Sequence, residues 1–356
     1  MTRPTPFAIS RTRLPVRATL GLALATALLA GCGTGNAAEP AAGDPSPTAS
    51  TPSPTSAPYA FSADNCGVEV TREQAPERIV TVKSAMTELV LALGAGDRLV
   101  AVAYPDGPVP AEFTDTVADL PVLAERVPTG EAVLAMEPDL VLAGWESVFS
   151  TDGAGERASL SDLDVTTFVA PSACTQAPYA PDPLTFDDVF AEITQVGDLL
   201  GTPEEAATLI QEQRLALETA TDQAGDGQPS ATALWWSSGS DTPYVGAGSG
   251  APQMIMDEVG LTNIAGDLAG GWAPYSWEAV AAADPEVIVL VDSSWNSAEK
   301  KKATLEANPV TAALSAVANE RYLIVPFAAT EAGVRNVEAV TSLLTQRSDL
   351  AGHDSE

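Results

Sequence analysis

The sequence predicts an α/β protein of two similarly built lobes joined by a long helical bridge, with a ligand cleft between the lobes. The first observation is a repeated pattern. Thr129-Gly-Glu-Ala-Val-Leu-Ala-Met-Glu-Pro-Asp-Leu-Val-Leu142 returns as Ser276-Trp-Glu-Ala-Val-Ala-Ala-Ala-Asp-Pro-Glu-Val-Ile-Val289. Each copy reads as a hydroxyl cap, an acid two positions on, a short helix, an acid-Pro-acid stop and an apolar strand. The cap and the first-turn acid satisfy free amides and oppose the helix dipole, and Pro ends the helix. The second observation is the alternation of short apolar runs with helical stretches on both sides of the chain's midpoint. The third is a long helical region between the two copies.

The chain opens on an export signal. Arg3, Arg11, Arg13 and Arg17 precede an apolar run from Ala18 to Ala30, too short to span a bilayer. The run ends in Leu29-Ala30-Gly31-Cys32, which resembles a bacterial lipobox. Residues 1–31 are therefore read as a lipoprotein signal peptide and Cys32 as the lipidated N-terminus of the mature chain, anchored on the extracytoplasmic side of the cell membrane. An ordinary signal peptide with a chance Cys is the alternative. Residues 32–60, rich in Pro, Ser, Thr and Ala with few large apolar side chains, read as a tether.

An N-terminal lobe is expected over 61–184, with strands at Ile79–Val82, Leu99–Val102, Leu140–Ala143 and Thr166–Val169. The bridge, 185–224, holds one helix from Thr185 to about Leu200 and a second opened by Thr202-Pro203-Glu204-Glu205, a capping box with Pro at the first helical position. A C-terminal lobe follows over 225–350, with strands at Thr232–Trp235, Val287–Val291 and Tyr322–Val325, and residues 351–356 form a tail. Gly246-Ala-Gly248-Ser-Gly250 reads as a turn before a helix at Pro252–Val259, with amides set against an anionic group at that helix start as the alternative, and Lys300-Lys-Lys302 reads as a solvated helix face. Cys66 and Cys174 are an even pair in an exported chain, most simply a disulfide; two buried free thiols are the alternative. Such a bond closes a loop of about 108 residues, which the chain-entropy argument values at about 4–5 kcal/mol.

These residues resemble a known family: the substrate-binding lipoproteins of ABC importers that handle ferric siderophores, haem and cobalamin. The carriers are Pro76-Glu-Arg-Ile-Val80 into Thr87-Glu-Leu89, Leu93-Gly-Ala-Gly-Asp-Arg-Leu-Val100, and Glu131 with Glu137-Pro-Asp-Leu-Val141. In the second half they are Ser276-Trp-Glu278, Asp284-Pro-Glu-Val-Ile288 and Arg321-Tyr-Leu-Ile-Val-Pro326. The resemblance covers residues 66–348 and lies in the order and spacing of motifs that are individually unspecific. It implies two Rossmann-like lobes joined by a long bridging helix, slight closure on the ligand, and no enzymatic activity. It also implies a monomer that delivers a bulky metal chelate, a ferric siderophore first and cobalamin or haem as alternatives, to an ABC permease and its ATPase. Glu131 and Glu278 match the two acids that dock on the permease, although an acid in a first helical turn is also favourable for purely local reasons.

In open α/β sheets ligands collect beyond the carboxyl ends of the strands. That rule selects Lys83, Tyr104, Trp145, Trp236, Tyr275, Trp295 and Arg335 as cleft candidates, a set suited to a bulky, partly apolar and anionic ligand. Each has a plainer alternative as a core aromatic or a solvated cation. The sole histidine is His353, which disfavours a Ser-His-Asp triad, a histidine-bearing zinc site and haem ligation by His. All 48 acidic residues lie after the signal and give a net charge of −31, which argues against nucleic acid as a partner. A hydrolase using carboxylates alone, or a surface adhesin or sensor, remains a distant alternative.

Overall fold

A computed structural model describes residues 59–224 and 230–353; the signal, Cys32 and most of the tether lie outside the described residues. The strands are β1 (Phe61–Asn65), β2 (Val68–Arg72), β3 (Ile79–Val82), β4 (Leu99–Ala103), β5 (Leu140–Ala143), β6 (Thr166–Val169), β7 (Ala231–Ser238), β8 (Tyr244–Gly246), β9 (Leu261–Asn263), β10 (Trp272–Pro274), β11 (Val287–Asp292) and β12 (Tyr322–Pro326). The helices are α1 (Ser84–Ala92), α2 (Thr114–Val117), α3 (Gly130–Leu134), α4 (Arg157–Ser161), α5 (Phe186–Leu200), α6 (Pro203–Ala224), α7 (Ala251–Glu258), α8 (Trp277–Ala283), α9 (Ala298–Ala307), α10 (Ser315–Ala318) and α11 (Asn336–His353).

Each lobe has its own sheet. The first is parallel, in the order β4-β3-β5-β6. The second runs β10-β8-β7-β11-β12, with β7, β11 and β12 parallel, β8 antiparallel to both β7 and β10, and β9 parallel to the early part of β7. The seven strands expected from the sequence are present; β1, β2, β8, β9 and β10 are additional, short and weakly patterned.

The repeated pattern has a specific structural content. Thr129 and Ser276 cap α3 and α8, their hydroxyls accepting the amides of Ala132 (3.3 Å) and Ala279 (3.1 Å). At the far ends Glu137 and Asp284 take the left-handed conformation, with φ of 48° and 43°. Pro follows, and the second acid then clamps the strand beside it. Asp139 accepts the amides of Glu77 (2.9 Å) and Arg78 (3.1 Å) at the entry to β3, and Glu286 accepts that of Thr232 (2.8 Å) in β7. The acid-Pro-acid stop therefore turns the chain and aligns a strand with its neighbour.

Both sheets are covered on both faces, and the two-residue period of a strand sorts its side chains between two cores. Ile79, Leu140 and Leu142 face one cluster, while Val80, Val141 and Ala143 face another. In the second lobe Trp235, Val287 and Val289 join the first cluster, whereas Leu234, Trp236, Ile288 and Leu290 form a third. The first cluster thus runs through both lobes, by way of α1, α5, α7 and α11.

The bridge is two helices. Thr185 opens α5 with a capping box to Asp188, and Gly201 ends it at φ 71°. Gly197 on α5 admits the methyl of Ala206 on α6, since a Cβ there would lie 2.5 Å from it. Cys66 and Cys174 form a disulfide with Cα atoms 5.4 Å apart, fastening the β1–β2 hairpin to the loop after β6. Lys301 corrects the expected solvated lysine face. It is 1% exposed, and its ammonium donates to the carbonyls of Val291 (2.5 Å) and Asn296 (2.6 Å).

Glu192 on α5 is buried; one carboxylate oxygen accepts the Ser172 amide at 3.0 Å and the other has no partner. Burial pushes its pKa up from 4.5 to about 7, against the opposing hydrogen bonds from Ser172. The native state keeps a proton that the unfolded chain releases near pH 4.5, so this stabilisation is full below that pH and lost as pH rises through about 7. Urea unfolding of wild type and Glu192→Gln at pH 4 and pH 8 should show the variant gaining about 2–3 kcal/mol on wild type across the interval, at ~1.4 kcal/mol per pKa unit. An unchanged difference would refute this account.

Candidate functional site

A cleft of about 560 Å³ opens between the lobes at the carboxyl ends of the parallel strands. Its walls comprise Lys83 after β3, Gly144–Ser147 after β5, Ser172–Thr175 after β6, Asp182, the Ser249–Ala251 loop, Trp272 and Thr330–Ala332 after β12. The disulfide half Cys174 belongs to this wall, so the cross-link holds one side of the cleft.

Lys83 is the centre of the arrangement. Its backbone is left-handed, φ 85°, and its side chain is 1% exposed. The ammonium is ion-paired with Asp106, itself buried, and stands 4.4 Å from the Tyr104 ring centroid, 3.8 Å from Trp145 and 5.2 Å from Phe327. Three aromatic rings and one carboxylate replace its water. Gly144 makes room, since a Cβ there would lie 2.9 Å from the Lys83 Cβ.

Two polar contacts cross between the lobes beside this cage. The Trp145 indole donates to Glu331 Oε2 at 2.9 Å. Arg335 donates through Nε and Nη2 to both oxygens of Glu88, each at 2.6 Å, and through Nη2 to the Pro108 carbonyl at 2.8 Å. Burial pushes both Glu88 and Glu331 up; Arg335 opposes the first shift, and Lys83 with the Trp145 indole opposes the second.

Of the seven cleft candidates, Lys83 and Trp145 line the cleft, and Tyr104 packs against both from outside its wall, edge-on to Trp145 at 5.3 Å. Trp295 is 55% exposed, its ring edge-on to Phe327 at 5.2 Å, one ring removed from Lys83. Trp236 and Tyr275 are corrections. Trp236 fills the third cluster against Trp277 with its indole on the Ser238 carbonyl, because alternation along a two-sided sheet turns it into the lobe. Tyr275 packs on that same cluster. Arg335 is a third correction, held on Glu88 by its buried charge and absent from the cleft wall. Glu131 and Glu278 are both exposed at the starts of α3 and α8.

Sequence reasoning missed Asp106, Glu146, Asp182, Trp272 and Glu331. Asp106 alone carried a signal, two residues past Tyr104 at the end of β4. The glycine-rich loop behaves as the turn it was read to be. The amides of Ala247, Gly248 and Ser249 bond the 268–271 segment, and a Cβ on Gly248 would lie 2.0 Å from the Gly266 carbonyl. Among the described residues no cluster of three His, Cys, Asp or Glu could hold a metal ion, and no helix is long and apolar enough to cross a membrane.

Comparison with known proteins agrees with this architecture. A family model described as periplasmic binding protein matches residues 79–329. Among curated proteins, the vitamin B12-binding proteins of Yersinia pestis (strain Pestoides F) and Yersinia pseudotuberculosis serotype O:1b are each 28% identical over 218 residues, 61% of this chain and 70% of theirs. Among solved structures, a periplasmic binding protein from Veillonella parvula superposes with TM-score 0.71 at 22% identity, covering 81% of this chain and 97% of that one. An ABC-type Fe3+-hydroxamate transport system structure from Saccharomonospora viridis gives 0.67 at 24%, covering 81% and 98%. The haem-binding protein RhuT from Roseiflexus sp. RS-1 gives 0.63 at 24%, covering 77% and 99%.

The Glu88–Arg335 pair joins the lobes through groups that are 1% and 14% exposed, so removing one partner strands a buried charge. Arg335→Met should cost about 3–5 kcal/mol in urea unfolding, and Glu88→Gln in the same chain should recover part of it. Equal stability of the single variant and wild type would show the pair to be energetically idle.

Proposed function

Since this chain belongs to the periplasmic binding protein family, we propose that it is the membrane-anchored, extracytoplasmic receptor of an ABC importer and that its cargo is a metal chelate, a ferric siderophore first. The observation that carries this reading is the cleft. It has the volume for a bulky ligand, lies at the strand ends where α/β sheets receive ligands, and is walled by Trp145 and Trp272. Aromatic walls offer a large contact area to the organic shell of a chelate. Cobalamin is the second reading, favoured by the similarity to the vitamin B12-binding proteins of Yersinia.

Because Trp145 and Trp272 line the cleft, ligand entry should change tryptophan emission. Titration with a ferric trihydroxamate, cyanocobalamin and haemin is expected to give saturable quenching with the ferric chelate at the lowest concentration. Tightest binding of cyanocobalamin would transfer the proposal to the second reading. No response to any of the three would remove the metal-chelate function.

The repeated acids support the importer half of the proposal. Glu131 and Glu278 occupy the same position in matched capped helices, are exposed, and are absent from the cleft wall. We assign them to permease docking, with Cys32 as the lipid anchor. Replacing both acids with Ala should leave ligand titration unchanged and reduce cellular uptake of the ligand at least about tenfold, the scale of losing two charge-assisted contacts. Loss of ligand affinity instead would place them at the cleft.

A further inference from the structure

The charged side chains on the cleft wall are Lys83, Glu146, Asp182 and Glu331. Lys83 is enclosed among aromatic rings and paired with Asp106, and its field already acts on Glu331, so it is committed within the protein. Arg335, which stands outside the cleft wall, spends its charge on Glu88. The three carboxylates are differently placed. Each uses one oxygen on a donor of this chain: Glu146 Oε2 accepts the Thr175 amide at 2.8 Å and its hydroxyl at 2.5 Å, Asp182 Oδ1 the Ser249 hydroxyl at 2.6 Å, and Glu331 Oε2 the Trp145 indole. Among the described residues no donor reaches the second oxygen of any of them.

These contacts hold the three carboxylates in place and leave one oxygen of each without a donor from the described chain, on residues that line the cleft. A polyanionic chelate entering there would meet like charges that no cation on the described cleft wall offsets; the exposed Arg126 acts on Tyr104 from outside that wall. A chelate with a pendant ammonium would meet preplaced acceptors beside the aromatic wall of Trp272.

We propose, building on the reading of this cleft as a chelate site, that it selects a chelate of net positive charge, one bearing a free ammonium group beyond its metal-binding arms, over neutral and anionic chelates. The carboxylates then act as charge selectors, while the aromatic walls supply affinity common to all bulky chelates.

A matched pair of probes isolates the charge. Ferrioxamine B carries a free terminal ammonium and its N-acetylated form does not; the ferric trihydroxamate centre is the same. Calorimetric titration of the mature protein should show the ammonium form binding about tenfold tighter or more, the scale of one charge-assisted hydrogen bond. The ratio should shrink in high salt, and Glu331→Gln combined with Asp182→Asn should bring it below about threefold. Equal affinity for the two forms, an unaltered ratio in the double variant, or tighter binding of haemin or a ferric tricatecholate would overturn the charge selection while leaving a chelate receptor. Failure to bind these probes and cyanocobalamin alike would remove the chelate reading and this inference with it.

Discussion

Because side chains beneath both sheets belong to one apolar cluster, from Ile79 and Leu140 through Phe190 and Ile193 to Trp235 and Val289, neither lobe moves far without wetting part of it. At about 25 cal/mol per Å², exposing each 100 Å² of that interior costs about 2.5 kcal/mol. The two-helix bridge adds to the constraint, since α5 is buried in that cluster and α6 packs along both α5 and α11. The cleft is therefore largely formed by the fold itself. Its specificity rests on side chains held in place.

The polar contacts follow from the same constraint. Side chains that meet where two packed lobes face each other must be paired. Lys83 has Asp106 and three rings, Arg335 has both oxygens of Glu88, and Trp145 has Glu331. The two candidate cations most suited to grasp an anion are consumed in this way. What the cleft wall keeps is carboxylate and aromatic surface, and the proposed preference for a cationic chelate rests on it.

The architecture was legible because it is written in local signals. Hydroxyl caps, acid-Pro-acid stops and apolar runs locate α3, α8, β5 and β11, and a capping box with Gly201 divides the bridge. The same pattern hid part of its own logic. The clamp from Asp139 and Glu286 to neighbouring strands joins residues distant along the chain, and no local propensity reports it. The cleft was less legible. A strand-end rule finds Lys83 and Trp145, yet it cannot tell Trp236 from Trp235, since both sit in a sheet buried on two faces. Lys301 shows the same limit, as its run of three lysines looks solvated until the carbonyls ahead of α9 are seen to capture the middle one.

Residue order alone reports the α/β class, the doubled lobe, the helical bridge, the cysteine pair and the strand-end location of the cleft. Caps, stops and two-residue periodicity act over a few bonds, and motif order survives without coordinates. Tertiary structure alone decided which charges the cleft presents. Glu88 and Arg335 lie far apart in sequence, as do Trp145 and Glu331, and only packing of the two lobes brings each pair within hydrogen-bond reach. A charge's availability to a ligand depends on which other charge already holds it, and that is a property of the folded molecule.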